Sequence, residues 1–381
     1  MRVLLLSPGT YAEGGAERSA TILVGGLIAR GHEVTVLGLE GSATRAYAQA
    51  GARTRLLPET TGSGTAVRHG SSARILLGAL EALPGVADVA STITQEIRSW
   101  RPDVIYSNGA RMHLVSATLP SRVPVAWALR DVPPKPIHRR LLKQASRRCS
   151  LILANSRFTA AYLEPTSVPV EVVGNPIASI TASDRGESRQ RLGIRDGRPA
   201  VAMVAHLHAS KGHHIAIEAL AAFDPESRPH LLIAGGNNYP GSAEYQAALV
   251  ARIAELGLTG DITFLGAVGE LNDLYGAADV LVHPAIHPEG FGRTVVEAQA
   301  AGVPVVATDI GGIKELCEES ASAVLVPPDD PDAVAAALGR VLHDDDARAQ
   351  LVASGLQNAS QFTPEHHVDQ VESLLTGLAN E

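Results

Sequence analysis

The stretch VLVHPAIHPEGFGRTVVEAQAAGVPVVAT, residues 280–308, decides the fold class of this chain. An apolar run at 280–283 leads through a loop rich in proline and glycine into a helical segment at 294–301, and a second apolar run follows at 303–307. Apolar runs joined by a helix-length segment predict two parallel strands with a crossover helix between them. Neither run alternates strictly between apolar and polar residues, which indicates strands that are buried on both faces.

The same pattern recurs along the rest of the chain. Further apolar runs, separated by helix-length segments, are found at 3–6, 34–37, 104–106, 123–129, 151–154, 200–204, 231–234, 262–265 and 323–326. A polar segment near 176–184 has the composition of a domain boundary. We therefore predict two α/β domains, at 1–176 and 177–363, followed by a last helix over 364–381. One possibility for this helix is that it packs against the first domain.

Length and composition support this division and exclude several classes of protein. The 381 residues exceed the size at which a single core usually stops growing, and 45% hydrophobic residues suit a well-packed globular chain. A net charge of −8 gives no general attraction for nucleic acid. Cys149 and Cys317 lack the spacing of a zinc or disulfide site. Without a signal peptide or a spanning segment, we expect a cytoplasmic protein with at most peripheral membrane contact.

Two features of the sequence could meet a phosphate. Gly14 and Gly15 follow the first predicted strand and open a helix, where backbone N–H groups can approach an anion. Neither a dinucleotide-binding fingerprint nor a P-loop is present, which argues against a dinucleotide-dependent oxidoreductase and a P-loop nucleotidase. Lys211, one of four lysines in the chain, follows the strand at 200–204. It suits a phosphate oxygen, and the alternative is a solvated loop lysine.

Two carboxylates flank the glycine turn of the opening stretch. Glu289 precedes Gly290 and Gly292, and Glu297 lies one turn into the following helix. One carboxylate can face a sugar while the other accepts hydrogen bonds from ribose hydroxyls. The alternatives are a solvated loop position for Glu289 and a capping box, formed with Thr294, for Glu297.

Residues 289–297, EGFGRTVVE, resemble the E-x7-E signature of the retaining glycosyltransferases of family four. The resemblance implies the GT-B architecture, an α/β fold of two facing Rossmann-like domains with parallel sheets and a cleft between them. It extends over nearly the whole chain. Other similar stretches are at 14–17, 30–34, 155–156, 175–176, 211–212, 234–236, 264–266, 302–308 and 311–312.

The resemblance also implies roles for individual residues. Glu289 would contact the transferred sugar, Glu297 the ribose, and Lys211 the diphosphate. Catalytic roles are expected for Glu289, Lys211 and Arg130. Donor-binding roles are expected for Gly15, His206, Gly235, Gly236, Leu265, Val268, Phe291, Gly292, Arg293, Thr294 and Glu297, and acceptor-side roles for Gly14, Asn108 and Asp131. No metal or other cofactor is expected, since protein cations and helix N–H groups stabilise the leaving group.

Two positions depart from the family pattern. His206 stands where the family usually has an arginine, and a neutral imidazole would stabilise a diphosphate less unless Arg293 compensates. Arg130 and Asp131 follow the strand at 123–129, where the family often has a histidine, and we expect Arg130 to face the cleft.

The resemblance implies transfer of a hexosyl or N-acetylhexosaminyl group, with retention, from a nucleotide-diphosphate sugar. UDP-sugar is favoured as the donor, with GDP-mannose as the other donor considered. The acceptor is expected to be a hydroxyl of a small soluble natural product or a glycan precursor. The alternatives are a sugar-nucleotide epimerase or hydrolase of the same fold, or an inactive protein that binds nucleotide sugars.

Two charged segments have competing interpretations. In other proteins a D-x-D string such as the one at 344–346 binds a metal-nucleotide complex. Here its polar surroundings favour a solvated surface. The basic stretch at 139–148 is either a solvated helix face or a site of contact with anionic lipid, in which case a lipid-linked sugar becomes the expected acceptor.

Overall fold

The computed structural model describes residues 1–7, 9, 14–58, 83–130, 132, 136–195, 197–237 and 240–380. They form two compact units. The first runs from Met1 to Pro176 and includes the last helix of the chain, and the second runs from Ile177 to Thr363.

The first unit is built on a parallel sheet with helices between its strands. Seven strands are present in the described part of this unit: β1 Arg2–Ser7, β2 Glu33–Gly38, β3 Arg53–Leu56, β4 Val104–Asn108, β5 Val125–Leu129, β6 Leu151–Ala154 and β7 Val170–Val172. Their order across the sheet is β3-β2-β1-β4-β5-β6-β7, and all pairs are parallel. The helices are α1 Gly15–Ala29, α2 Ser42–Gln49, α3 Leu83–Trp100, α4 Ala110–Ser116, α5 Pro136–Ser146 and α6 Arg157–Ala160.

The second unit repeats this arrangement. The six strands of its described residues are β8 Ala200–Val204, β9 His230–Ala234, β10 Ile262–Gly266, β11 Val280–His283, β12 Val305–Thr308 and β13 Val324–Val326. They lie in the order β10-β9-β8-β11-β12-β13 and are again all parallel. The helices are α7 Arg185–Arg191, α8 His213–Ala221, α9 Ser242–Glu255, α10 Asn272–Ala277, α11 Arg293–Ala300, α12 Gly311–Glu318, α13 Pro331–His343 and α14 Asp345–Ala359.

The predicted α/β class with two parallel sheets is confirmed. The central strands are mostly apolar and buried, as the continuous runs indicated; β11 is buried along its whole length. Sequence inspection missed β3 and β7, whose sequences are RTRL and VEV. Both lie at the ends of their sheet, where one side of a strand has no neighbour and polar residues reach water.

The last helix, α15 Pro364–Ala379, packs against α1 within the first unit. Val368 belongs to the same apolar cluster as Leu23 and Leu27 of α1. Gly26 permits this close approach, because a Cβ atom at that position would lie 2.4 Å from Cγ2 of Val368. Arg30, which follows α1, adds an ion pair of 2.5 Å to Glu372.

Candidate functional site

The candidate site of the second unit lies at the carboxyl ends of β8 and β11. These two strands are adjacent and parallel, with Val201 paired to Val280, and the direction of strand succession reverses between them. Such a reversal leaves a crevice outside the carboxyl ends of the strands, which is where open α/β sheets bind ligands. The loop after β8 contains Lys211, in a 3-10 turn, and the loop after β11 contains Glu289.

Four side chains from these loops form a connected group. The ammonium nitrogen of Lys211 lies 2.8 Å from Oε1 of Glu289. Nε2 of His283, the last residue of β11, lies 3.0 Å from the same oxygen. Oγ1 of Thr294, in α11, lies 3.2 Å from Nδ1 of His283. The side chains of Lys211 and Glu289 are 18% and 21% exposed, so the pair can still meet a ligand.

The hydrogen bonds determine which groups donate. A carboxylate can only accept, so Nε2 of His283 must donate to Glu289. In a neutral imidazole Nδ1 is then the acceptor, and the Thr294 hydroxyl donates to it. Burial favours the protonated form of Glu289, but the imidazole of His283 and the ammonium of Lys211 outweigh it and hold the pKa of this carboxyl well below its ordinary range. Glu289 is therefore an anion at neutral pH.

Backbone contacts fix the loop that contains Glu289. The Ile286 N–H donates to the Ser210 carbonyl (2.9 Å), and the Thr308 hydroxyl donates to the Ala285 carbonyl (2.7 Å). The Gly312 N–H donates to the carbonyl of Glu289 itself (2.8 Å). The partners lie in the loop after β8, at the end of β12 and at the start of α12, so the loop that contains Glu289 is fixed by the segments that follow the two neighbouring strands.

The glycines after β12 allow this close packing. Gly311 has a φ of +61°, and a Cβ atom there would lie 2.7 Å from the carbonyl oxygen of Glu289. A Cβ atom on Gly312 would lie 2.2 Å from the carbonyl oxygen of Gly290. Any larger residue at either position would displace the backbone around the acidic side chain.

The structure contradicts the capping-box interpretation of Glu297. Helix α11 begins at Arg293, one residue earlier than predicted, and its N-cap is Gly292 with a φ of +94° and no side-chain cap. Thr294 is therefore inside the helix, where its hydroxyl contacts His283. Glu297 is buried, and its Oε1 lies 3.2 Å from an amino group of Arg293.

The other predicted donor-side residues lie on neighbouring strand ends. Gly235 follows β9 and packs on the loop after β8, since a Cβ atom there would lie 1.7 Å from the carbonyl oxygen of Ala205. The carbonyl of Gly236 accepts from the Leu207 N–H (3.0 Å), which brings the loop containing His206 beside it. Phe291 is buried, and Leu265 and Val268 pack against the same apolar cluster. His206 is half-buried, 6.1 Å from the ring of His208.

The predicted residues of the first unit also lie at strand ends. Asn108 ends β4 and is fully buried, and its side-chain amide has no hydrogen-bond partner among the described residues. Gly14 and Gly15 are the N-cap and first residue of α1. Asp131 lies outside the described residues.

Arg130 follows β5 and is 8% exposed. One of its amino groups donates to Oδ1 of Asn175, and the other donates to the Tyr106 hydroxyl at 3.0 Å. The Asn155 amide donates to its carbonyl. Arg130 is thus bound to side chains of its own unit, and its expected catalytic role stays a prediction.

Sequence reasoning missed the participation of His283. His283 is not among the residues for which the sequence predicts a role. Its position at the carboxyl end of a strand, six residues before Glu289, was the available signal. In the described part of the chain no group of three or more His, Cys, Asp or Glu side chains could hold a metal ion.

The D-x-D string is part of an exposed helix start. Asp344 caps α14 by accepting from the Ala347 N–H, and Asp345 pairs with Arg348. No helix within the described ranges is long and apolar enough to cross a bilayer.

Two family models match the chain. Residues 13–179 match the model described as Glycosyltransferase Family 4, and residues 184–357 match Glycosyl transferases group 1. Among curated proteins, the chain is 36% identical over 196 residues to the D-inositol 3-phosphate glycosyltransferase of Corynebacterium urealyticum, covering 50% of this chain and 46% of the relative. It is 32% identical to the protein of the same name from Mycolicibacterium gilvum, covering 65% of this chain and 55% of the relative. The matched region spans about half the length of these relatives.

Solved structures match over the whole chain. Anabaena Alr3699/HepE, solved in complex with UDP-glucose, is 26% identical with a TM-score of 0.82, covering 99% of this chain and 100% of that one. Sucrose-phosphate synthase from Thermosynechococcus elongatus has a TM-score of 0.81 at 19% identity, covering 99% of both chains, and shows the fold alone. Both comparisons agree with the GT-B architecture.

Proposed function

The chain belongs to glycosyltransferase family 4, and from that premise we propose that it transfers a hexosyl or N-acetylhexosaminyl group from a nucleotide-diphosphate sugar to a hydroxyl acceptor. The observation that carries this proposal is the contact between Lys211 and Glu289 at the carboxyl ends of β8 and β11. In support, an ammonium group, which suits a diphosphate, lies next to a fixed carboxylate, which suits sugar hydroxyls.

Lys211 can serve two partners at once. An ammonium group has three N–H donors, and the contact with Glu289 uses one of them. The remaining donors bind phosphate oxygens of the donor. Helix α11 points its N-terminus, with N–H groups that a helix cannot pair internally, into the same loop region. Together they stabilise the negative charge that develops on the leaving diphosphate.

The two carboxylates take different parts of the donor. Glu289 accepts hydrogen bonds from sugar hydroxyls. His283 keeps the Glu289 carboxylate oriented, while Lys211 also contacts the phosphate. Oε1 of Glu297 contacts Arg293, and its other carboxylate oxygen accepts hydrogen bonds from the ribose hydroxyls. Gly235, Gly236, Leu265 and Val268 line the base pocket.

Transfer proceeds with retention and without a metal. The acceptor oxygen forms its bond to the anomeric carbon on the face from which the phosphate oxygen leaves. The acceptor proton passes to that phosphate oxygen, and the nucleoside diphosphate departs. Lys211 is the principal cation of this step, and Arg293, whose guanidinium has donors beyond the one that contacts Glu297, compensates for His206 at the position where the family usually has an arginine.

A UDP-sugar is the favoured donor. In support, the solved relative at 26% identity was crystallised with UDP, with UDP and glucose, and with UDP-glucose. For the acceptor we propose a small soluble natural product or a glycan precursor. The curated relatives are named for an inositol phosphate, which supports a small polyhydroxylated acceptor.

Nucleotide binding tests the donor proposal. We expect UDP to raise the melting temperature more than GDP, TDP or ADP, with the same shift when magnesium is replaced by a chelator. Lys211→Met should abolish the shift. Lys314→Met is the matched control, because Lys314 is exposed and its ammonium group pairs with Asp309 and Glu318 rather than with Glu289. No shift with any nucleotide would overturn the proposal.

Turnover separates the proposed transferase from its alternatives. UDP-glucose and UDP-N-acetylglucosamine are incubated with and without polyol acceptors, and the products are followed by NMR. Acceptor-dependent UDP release with an α-configured product is expected. Release without acceptor would indicate a hydrolase, an epimerised donor would indicate an epimerase, and binding without turnover would indicate an inactive binding protein.

A further inference from the structure

Helix α5 of the first unit presents an unusual surface. Ile137 and Leu141 are 47% and 51% exposed, which is high for large aliphatic side chains. They are four residues apart and therefore lie on the same face of the helix. The opposite face contains Leu142 and Ser146, both buried in the unit. The helix is thus amphipathic with an apolar pair directed outward.

Positively charged residues are frequent in α5 and in the two residues that follow it. Five cationic residues fall within 136–148, namely Arg139, Arg140, Lys143, Arg147 and Arg148. No Asp or Glu occurs from 136 to 163, although the whole chain has a net charge of −8. Positive charge is therefore concentrated in this segment, although the net charge of the protein is negative.

Most of these cations are not used by the fold. Arg139 donates to the carbonyl of Tyr162 at 2.6 Å and lies 5.3 Å from its ring centre. Arg140, Arg147 and Arg148 are exposed, and none has an ion-pair partner among the described residues. By contrast, Arg191, Arg252 and Arg348 on the helices of the second unit all pair with carboxylates. Arg140, Arg147 and Arg148 are therefore available to an external anion.

We propose that the α5 surface, defined by Ile137, Arg140, Leu141, Arg147 and Arg148, docks on a bilayer that contains anionic phospholipid. Aliphatic side chains between cations fit the boundary between headgroups and acyl chains, where the apolar pair inserts and the guanidinium groups contact phosphates. A nucleic acid would not require the aliphatic pair. The docking is peripheral, and it goes beyond the proposed transfer reaction because none of these residues belongs to the candidate site.

Co-sedimentation of the full chain with vesicles tests this surface. We expect binding to phosphatidylcholine mixed with phosphatidylglycerol, weak binding to phosphatidylcholine alone, and release by high salt. The double variant Ile137→Ser and Leu141→Ser should lower the partition coefficient about tenfold. The triple variant Arg140→Gln, Arg147→Gln and Arg148→Gln should lower it at least as much.

The matched control is the double variant Val250→Ser and Leu356→Ser. These residues are 51% and 46% exposed on helices of the second unit, so the control removes similar aliphatic area elsewhere. It should sediment like the wild type, and nucleotide-induced thermal shifts should be unchanged in all variants. Equal binding to both vesicle types, absence of binding, or an equal loss in the control would overturn the proposal. Unchanged binding of the Ile137/Leu141 variant would overturn it as well, because the cations alone would then suffice.

Discussion

The ammonium group of Lys211 and the carboxylate of Glu289 are in direct contact, at 2.8 Å, although they belong to loops after two different strands. The contact depends on strand order, since β8 and β11 are neighbours and their carboxyl ends share one edge of the sheet. A cation and an anion are thereby held, each partly exposed, at the sheet edge where open α/β folds generally bind ligands.

Substitution of the two carboxylates should separate their roles. We expect Glu289→Ala to lower kcat by about 100-fold or more while the Kd for UDP changes little, because the proposed partner of Glu289 is the sugar and not the nucleotide. Glu297→Ala should weaken UDP binding by about tenfold, which corresponds to the loss of a charged hydrogen bond. Steady-state kinetics and calorimetric titration with UDP give the two quantities. Small and equal effects of both variants would contradict the assignment.

Two adjacent glycines of α1 allow a matched test of the packing against the last helix. A Cβ at Gly26 would lie 2.4 Å from Val368, whereas one at Gly25 would lie 3.9 Å from Ala50, an ordinary contact. Gly26→Ala should lower the free energy of unfolding of the first unit by about 1–2 kcal/mol, since overpacking exceeds the gain in helix propensity. Gly25→Ala should raise it by about 0.5–1 kcal/mol. Denaturant unfolding measures both, and equal signs would contradict this view of the contact.

Much of the second unit could be predicted because its strands, its loops and their polar residues are recognisable from short stretches of sequence. The strand at 280–283 was identified with its observed bounds, and the helix of the opening stretch was displaced by a single residue. The carboxyl-end positions of Lys211 and Glu289 follow from the strand and loop pattern alone.

The missed features depend on tertiary contacts. The capping box failed because α11 already begins at Arg293 with Gly292 as its N-cap, and the Thr294 hydroxyl contacts His283 of the preceding strand. The expected role of Arg130 stays a prediction, but its hydrogen bond to Asn175, far along the chain, could not be predicted from the sequence. Sequence periodicity contains no information about such pairs.

Replacement of His283 should test its positioning role. His283→Phe removes the donor to Glu289, and we expect kcat to fall about tenfold with little change in the KM for the donor. His283→Asn retains an N–H donor and should restore most of the activity. Thr294→Val removes the contact to Nδ1 but keeps the Nε2–H donor to Glu289, so a smaller loss of kcat than in His283→Phe is expected. Equal activities of the Phe and Asn variants would show that the hydrogen bond to Glu289 is irrelevant.

Arg130→Lys distinguishes a structural role from a catalytic one. A lysine cannot span Asn175 and the Tyr106 hydroxyl with a planar fork, so the first unit should lose about 1–3 kcal/mol of stability. Arg140→Lys, at an exposed position, is the control and should change neither stability nor activity. If Arg130 acts only through its contacts, kcat at a temperature well below the transition should change little. A large fall in kcat with an unchanged melting temperature would instead support direct contact with a substrate.

The pH dependence of stability should reveal the state of Glu289. Its pKa in the folded protein lies below the unfolded value of about 4.3, so its ionised form contributes stability above that pH, and the contribution is lost as the pH falls toward the folded pKa. The difference in melting temperature between the wild type and Glu289→Gln should therefore be largest near neutral pH and shrink below about pH 4. Glu226→Gln is the control, since Glu226 is exposed and has no ion-pair partner among the described residues; its difference should stay near zero. A difference for Glu289→Gln that grew on acidification would mean that the folded protein holds this carboxyl protonated, contrary to its contacts with Lys211 and His283.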